Sequence, residues 1–397
     1  MTSNNKQQFH AWHLMLLLVL LLNSRCRNTP DANATIHIYI MPQYGLIKLL
    51  PTTDTLHFPL DENSYNAIKS TLSFVIRNKE YVCFHDQRAE ALNIYDLHSR
   101  QLIKRLELKK ILSGHDLYKT SAFVKNFDSI FVTNNASLYL VDSAGHLNKT
   151  FKFLQKPELA RAVFDNNSPP VIQDNQLYAG VRPSINETSL RSLAKWKAVY
   201  SFDLLNGKAK LHYSLPRMYQ ENYFGYHFLE GNYCYNNNGY FVFSFPADTN
   251  VYESDLAGHN LSYCGKSQYQ TSDITPVKKE DLLNDKAGKQ YMLRDSYGAI
   301  YFDGYHKRYL RLAKQKISEA DFESKNLNRK RSILIFDEHL KIIGESLIDE
   351  NISFSSLFIS ADGNIYARTR SNDEYALHFV RLAYVDSREN NTQLTKN

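Results

Sequence analysis

One short unit recurs along this chain, and its recurrence limits the folds open to it. The clearest copy is Val199–Leu211, VYSFDLLNGKAKL. Val199, Tyr200 and Phe202 are β-branched or aromatic, types that suit a pleated, half-buried surface. Asp203 can accept from backbone N–H groups ahead of it and so start a turn, and Gly207 supplies the positive φ needed to leave one. The stretch reads as strand, tight turn, strand. Variants begin at Leu92, Ser137, Asn250 and Ile333, those at Leu92 and Ile333 without the glycine, and a faded sixth begins at Tyr375. The turn aspartates are Asp96, Asp142, Asp203, Asp255 and Asp337. The first four lie roughly 50 residues apart, close to the period of propeller blades.

Between the copies sit further strand-like pieces, among them Tyr81–Phe84, Ser129–Val132, Gln176–Ala179, Tyr240–Phe245, Ala299–Phe302 and Asn364–Ala367. Two or more strands before each hairpin make a four-stranded antiparallel blade. One blade cannot bury both its faces alone, so neighbours must stack, and a closed ring removes the open ends. Six recurrences predict an all-β chain folded as a six-bladed β-propeller, with seven blades as the alternative count. An early strand near Ile36 is expected to complete the last blade. A two-sheet sandwich would not carry so long a period. The composition agrees: 27 Tyr and 22 Phe, against 15 Gly and 5 Met, lean toward sheet. Lys266–Gln290 reads as an inter-blade loop with a short helix over Lys278–Asn284. Ile317–Arg331 is a second polar excursion, helical near Glu319–Lys325.

The N-terminus gives an address. Ala11–Leu22 is an apolar run preceded by Lys6, shorter than the 17 or so residues that a spanning helix needs, which is the layout of a secretory signal. Cys26 follows directly, as at a bacterial lipoprotein site where the thiol takes a diacylglycerol; Arg25 departs from the small residue expected before such a cysteine. The organisation predicted is a signal peptide over 1–25, a tether over 26–35, the propeller over 36–386 and a flexible tail over 387–397. Cys26 is the candidate lipid-attachment residue. The other cysteines are Cys83, Cys234 and Cys264, with no CxxC pair, so a zinc ribbon or thioredoxin site is not indicated. Cys234 and Cys264 could form a disulfide, or remain buried free thiols.

Chemical signatures are sparse. GxSxG, HExxH and EF-hand spacings are lacking, and Gly258–Ser267, superficially like a phosphate loop, reads better as a hairpin. No catalytic residue, metal ligand or cofactor is indicated. Tyr219–Phe245 is the densest aromatic region; it reads as packing between blades rather than a stacking platform for sugars. His306, Lys307, Arg308, Arg311, Lys314 and Lys316, joined by Arg329, Lys330 and Arg331, form a basic run. It reads as a solvated strand face and loop, with a site for an acidic glycan or lipid head group as the sharper alternative. The formal net charge of +6, together with export, speaks against nucleic acid as a partner.

Three pieces carry a family likeness: Gly298–Asp303 leading into Lys307–Leu312, Phe243–Pro246, and Ser332–Asp337 with Ile343–Glu345. Over most of Ile36–Asp386 the chain resembles the domain-of-unknown-function family 4221, exported propeller-like bacterial lipoproteins. The resemblance implies a lipid on Cys26 and brings no catalytic residue with it. The function expected is that of a lipid-anchored propeller at the bacterial cell envelope, binding or scaffolding a ligand or protein. Its partner would be an envelope protein or glycan, with the membrane reached through the anchor. A polysaccharide hydrolase or lyase with carboxylates at the propeller mouth is the alternative.

Overall fold

Each aspartate that marks the repeat caps a tight turn in the structure, a computed structural model that describes residues 35–112, 119–134, 137–152, 160–183, 189–283 and 286–387. Asp142 accepts from the backbone N–H groups of Ala144 and His146, both at 2.9 Å, and Asp203 accepts from Leu205 at 2.9 Å. Asp255 accepts from Ala257, Gly258 and His259, and Asp337 from His339 and Lys341. Asp96 accepts from Ser99 at 2.8 Å. The side chain thus stands in for a backbone acceptor and fixes the reversal locally.

Two strands precede the first blade: β1 (Ile36–Ile38) and β2 (Ile47–Pro59). Blade 1 is β3 (Ile68–Ile76), β4 (Lys79–Asp86), β5 (Ala91–Asp96) and β6 (Leu102–Glu107). Blade 2 is β7 (Ser121–Asn126), β8 (Ser129–Asn134), β9 (Ser137–Val141) and β10 (Leu147–Lys152). In blade 3 the first strand is split into β11 (Ala160–Val163) and β12 (Val171–Gln173), both paired to β13 (Gln176–Pro183); β14 (Lys197–Asp203) and β15 (Ala209–Ser214) follow. Blade 4 is β16 (Asn232–Tyr235), β17 (Phe241–Ser244), β18 (Asn250–Ser254) and β19 (Asn260–Cys264). Blade 5 is β20 (Ser296–Asp303), β21 (Arg308–Lys314), β22 (Arg331–Phe336) and β23 (Ile342–Ile348). Blade 6 is β24 (Ile352–Ile359), β25 (Ile365–Thr369) and β26 (Ala376–Asp386). The six antiparallel sheets stand in a ring, a six-bladed β-propeller.

The fourth strand of blade 6 is β2, paired antiparallel to β26 from Ile47↔Asp386 to Pro59↔Ala376. This explains the faded sixth copy: its hairpin partner comes from the other end of the chain, so no turn needs encoding after Leu382. It also corrects the expectation for Ile36. β1 does not complete the last blade; it adds to blade 4 as a fifth strand, parallel to β19. Between β1 and β2 the chain crosses blade 5, where Gln43 N–H donates to the Ile342 carbonyl at 2.9 Å and Glu345 N–H to that of Tyr44 at 3.1 Å. Gly344 permits the crossing, because a Cβ there would lie 1.9 Å from the Ile47 carbonyl oxygen.

The core lies between blades. Aliphatic side chains fill the join of blades 1 and 2, among them Ile94, Leu106, Val124, Ile130 and Val132. Large rings fill the wedge around blades 3 and 4, with Trp196, Tyr200, Phe202, Phe243 and Phe245 all buried. Tyr213 stacks on Phe243 with centroids 4.0 Å apart and planes 10° off parallel. Burying such a ring contributes about 2 kcal/mol or more. Tyr219, Phe224, Phe228 and Tyr233 of the dense aromatic region are buried too, which is the packing role expected of them.

Hairpin turns within blades are short, apart from the second-to-third-strand connections of blades 3 and 5. Four of the long connections, described over residues 189–196, 215–231, 265–283 with 286–295, and 315–330, lie at one end of the ring, where each first strand starts and each second strand ends. Helical turns sit in all four, at Leu190–Leu193, Arg217–Glu221, Tyr226–Phe228, Lys279–Leu282, Lys286–Met292 and Glu319–Glu323. The helix expected over Lys278–Asn284 is a short 3-10 turn, and the longer helix follows it. Glu319–Glu323, where a helix is expected, begins with a capping box between Ser318 and Asp321.

Candidate functional site

The break in blade 3's first strand sends the chain across to the first strands of other blades. Residues 164–170 leave the sheet there and run into the ring. Asp165 holds the turn by accepting from Asn167 N–H at 3.0 Å and Ser168 N–H at 2.8 Å. Asn166, buried, then reaches two distant blades. Its amide oxygen accepts from Thr71 N–H of β3 at 2.8 Å, and its amide nitrogen donates to the carbonyls of Thr71 and of Leu357 in β24. Asn167 offers its carbonyl to Tyr233 N–H of β16 at 2.9 Å. One asparagine pair therefore ties blade 3 to blades 1, 4 and 6 through the axis.

Next to this crossing, on the side of the long connections, lies a cleft of about 90 Å³. Asn167 lines it. Asn232 of β16, Gly298 and Ala299 of β20, and Phe354 and Ser355 of β24 supply walls; His227, Glu230, Tyr291 and Lys314 supply the remaining polar lining. About 90 Å³ is room for three waters or one small polar group, well below the several hundred Å³ of a pocket that swallows a whole ligand.

Guanidinium groups fix the surrounding loops. Arg311, wholly buried, donates to the carbonyls of Thr249 at 2.8 Å, Gly265 at 3.0 Å and Asp248 at 2.6 Å, and to Ser244 Oγ at 2.9 Å. Its guanidinium lies 3.8 Å from the Tyr297 ring centroid. Burial lowers its pKa to about 10, so it stays charged at neutral pH. Arg182 donates to the Gly231 carbonyl at 2.8 Å, Arg294 to that of Thr275 at 2.9 Å, and Arg329 to those of Gln315 and Arg294 at 2.7 and 2.6 Å. These side chains complete the hydrogen bonding of irregular backbone that no strand partners.

The basic run is thus neither a solvated face nor one patch. A strand rises about 3.3 Å per residue, so His306 and Lys316 sit at opposite ends of blade 5. His306 pairs with buried Asp303 at 2.7 Å, Lys307 with Glu338 at 3.6 Å, and Arg308 lies over the Tyr384 ring. Arg311 is interior, and only Lys314, Lys316, Lys330, Arg329 and Arg331 reach the loop-bearing end. Cys83, Cys234 and Cys264 are free thiols. Cys234 and Cys264 lie on the first and fourth strands of blade 4, some 14 Å apart at strand spacing, too far to bridge. Burial pushes the Cys234 thiol well up, which makes it inert. Cys26 lies outside the described residues. Gly258 is in the β18–β19 turn, as the hairpin reading of that stretch requires.

Asn166, Asn167, His227, Glu230 and Tyr291 were not singled out by the sequence. The one local signal is Asp165-Asn166-Asn167-Ser168-Pro169-Pro170, a run of turn formers between strand-like pieces. Among the described residues no group of three or more His, Cys, Asp or Glu side chains is placed to hold a metal ion, and no helix is long and apolar enough to cross a membrane.

Comparison with known proteins agrees with this architecture. A Bacteroides vulgatus member of the DUF4221 family superposes with a TM-score of 0.73 at 20% identity, covering 87% of this chain and 100% of that one. A Bacteroides fragilis protein, named as a candidate exported protein, superposes with a TM-score of 0.53 at 12% identity over 88% of this chain and 99% of its own. At these identities the likeness is one of fold. No curated protein matches the sequence significantly. The profile of the domain of unknown function DUF4221 matches residues 47–347, from the ring-closing strand to the end of blade 5, and the chain belongs to that family.

Proposed function

We propose that the protein is an exported, lipid-anchored binding module of the bacterial cell envelope, and that the loop-bearing end of the ring is its binding face. The observation that carries this reading is the placement of the long connections. All four emerge at one end, arginines bond to the backbone of three of them, and two of them bring His227, Glu230 and Tyr291 to the cleft beside Asn167. A rigid ring with elaborated loops at one end is how propellers present a recognition surface. The cleft is too small for a whole sugar or peptide, so a ligand would place one end group in it and lie across the rim.

The test is a glycan and peptide array probed with wild-type protein and with Ser355→Trp, which fills the cleft from an exposed wall position. Loss of the bound ligand with unchanged thermal melting supports the reading; unchanged binding by Ser355→Trp refutes it. The address rests on the apolar run before Cys26 and on the similar protein named as a candidate for export. Metabolic labelling with a fatty-acid analogue should mark the wild type and leave Cys26→Ala unmarked. Equal labelling of the two would end the lipid-anchor proposal.

A further inference from the structure

The cleft has an uneven charge. Lys314 lines it, and among the described residues no carboxylate pairs with its ammonium. It donates one N–H to the Tyr291 phenol oxygen at 3.2 Å. Because that oxygen accepts, the phenol O–H stays available to donate elsewhere, as do the remaining ammonium protons. Arg329 adds charge from beside the phenol: its guanidinium lies 4.9 Å from the Tyr291 ring centroid, and its N–H groups serve backbone carbonyls and the Tyr291 side chain. Arg294 is held likewise, over the Phe228 ring at 4.3 Å.

One acid nearby, Asp295, acts on Arg329 and leaves the Lys314 ammonium without a carboxylate partner among the described residues. Asp295 is occupied by the backbone N–H groups of Thr271, Ser272 and Lys316. Glu230 is the carboxylate in the lining, with no ion pair among the described residues. His227 stacks near Tyr291, ring centroids 5.0 Å apart. Ser296, opposite Lys314 in the β20–β21 register, has a buried hydroxyl beside the Tyr291 phenol. Burial alone would push the Tyr291 phenol up; the charges of Lys314 and Arg329 outweigh it and hold the group below its ordinary value. The field at this phenol is therefore net positive.

We infer that the cleft is an oxyanion site, in which the Lys314 ammonium and the Tyr291 hydroxyl donate to a carboxylate, phosphate or sulfate group at the end of the ligand. The inference rests on the reading of this end as the binding face and gives that face its ligand class. Size agrees, since about 90 Å³ accepts one such group and little more. Glu230 opposes it from the lining, which favours a singly charged group over a doubly charged one.

Isothermal titration of the purified protein with acetate, inorganic phosphate and inorganic sulfate at fixed ionic strength tests this, with acetamide as the neutral counterpart of acetate. Saturable binding of at least one anion is expected, with acetamide inert. Lys314→Met should weaken it about tenfold or more and Tyr291→Phe about threefold to tenfold, both with unchanged thermal melting. Glu230→Gln should strengthen it severalfold, a gain that damage to the fold would not produce. Preference for acetate assigns a carboxylate; preference for phosphate or sulfate assigns those groups. No saturation by any anion up to about 50 mM, where even weak sites of a few kcal/mol fill, overturns the inference, as does binding untouched by Lys314→Met. The two readings fail separately. A neutral array ligand lost in Ser355→Trp keeps the binding face and removes the oxyanion. Anion binding at Lys314 beside array ligands indifferent to Ser355→Trp does the reverse.

Discussion

Blades 1 and 2 and blades 3 to 5 use the same hairpins but finish them differently. In blades 1 and 2 the described turns are short: Arg77 and Asn78 alone, both at positive φ, join β3 to β4. The join between those blades is a largely aliphatic core with Tyr81 and Tyr139 at its margin. In blades 3 and 5 the second-to-third connections lengthen, as do the blade-to-blade connections on either side of blade 4, and buried polar groups stand among them: Arg182, Arg294, Arg311 and Arg329 on carbonyls, Asn166 across the axis. The lesson is about cost. A two-residue turn satisfies its own backbone; a long loop near the core has carbonyls that need donors from elsewhere. The side of the ring that carries the candidate site is the side that needed those donors.

If this contrast is right, the largest loss should come from a guanidinium in the second group. Arg311→Met fits the volume but leaves the carbonyls of Asp248, Thr249 and Gly265 without their donor. Urea denaturation should show a loss of about 4 kcal/mol. A loss under about 1 kcal/mol would mean that the loops are held by packing instead, and the contrast would fall.

Acid probes the first group next. Burial, with a smaller contribution from Lys69, lowers His85 of blade 1 to about 3. The unfolded chain binds the proton near pH 6.5, so the neutral folded form contributes stability that is full above that pH and drains as pH falls toward about 3. By pH 4 the drain is about 3 kcal/mol. His85→Leu should remove that slope while changing the neutral-pH value little. His212 of blade 3, lowered to about 4, has the same sign, so acid should strain both halves of the ring. Stability measured from pH 7 to 4 in wild type and His85→Leu checks this; parallel curves would count against it.

Asn166→Ala comes third. It strands the buried Thr71 N–H and should cost about 2 kcal/mol in the same denaturation assay. It is also the substitution that tests whether the two halves are coupled through the axis. Amide exchange of β3 and β24 should quicken together in the variant. Quickening in blade 3 alone would show that the crossing is an ornament of its own blade.

How far the sequence reveals this follows from range. The hairpins were legible because an aspartate and the N–H groups it caps lie within four residues. The six-fold count followed from them, as did the packing role of Tyr219–Phe245. The ring closure was half legible: two strand-like runs precede blade 1, and nothing local says which returns to blade 6. The cleft was not legible at all. Tyr291 meets Lys314 across 23 positions and Arg329 across 38, and Asn166 meets Leu357 across 191. Residue types at such separations carry no pattern until the fold brings them together.

The smallest effect concerns the one rule on which all five hairpins depend, a residue that turns the chain with positive φ. Gly145 and Gly207 do so freely, but Arg100 and Leu340 stand at φ 62° and 58° in equivalent turns. Leu340 is 1% exposed, so burying its side chain offsets the backbone strain. Arg100 is exposed and has no such return. Arg100→Gly should therefore stabilise blade 1 by a few tenths to about 1 kcal/mol, whereas Leu340→Gly should destabilise blade 5 despite relaxing the same torsion. Gly207→Ala must lose as well, since its Cβ would sit 2.9 Å from the Phe151 ring. If Arg100→Gly and Leu340→Gly shift the melting midpoint in the same direction, torsion rather than packing governs these turns, and the short-turned blades are not the self-sufficient half of the ring.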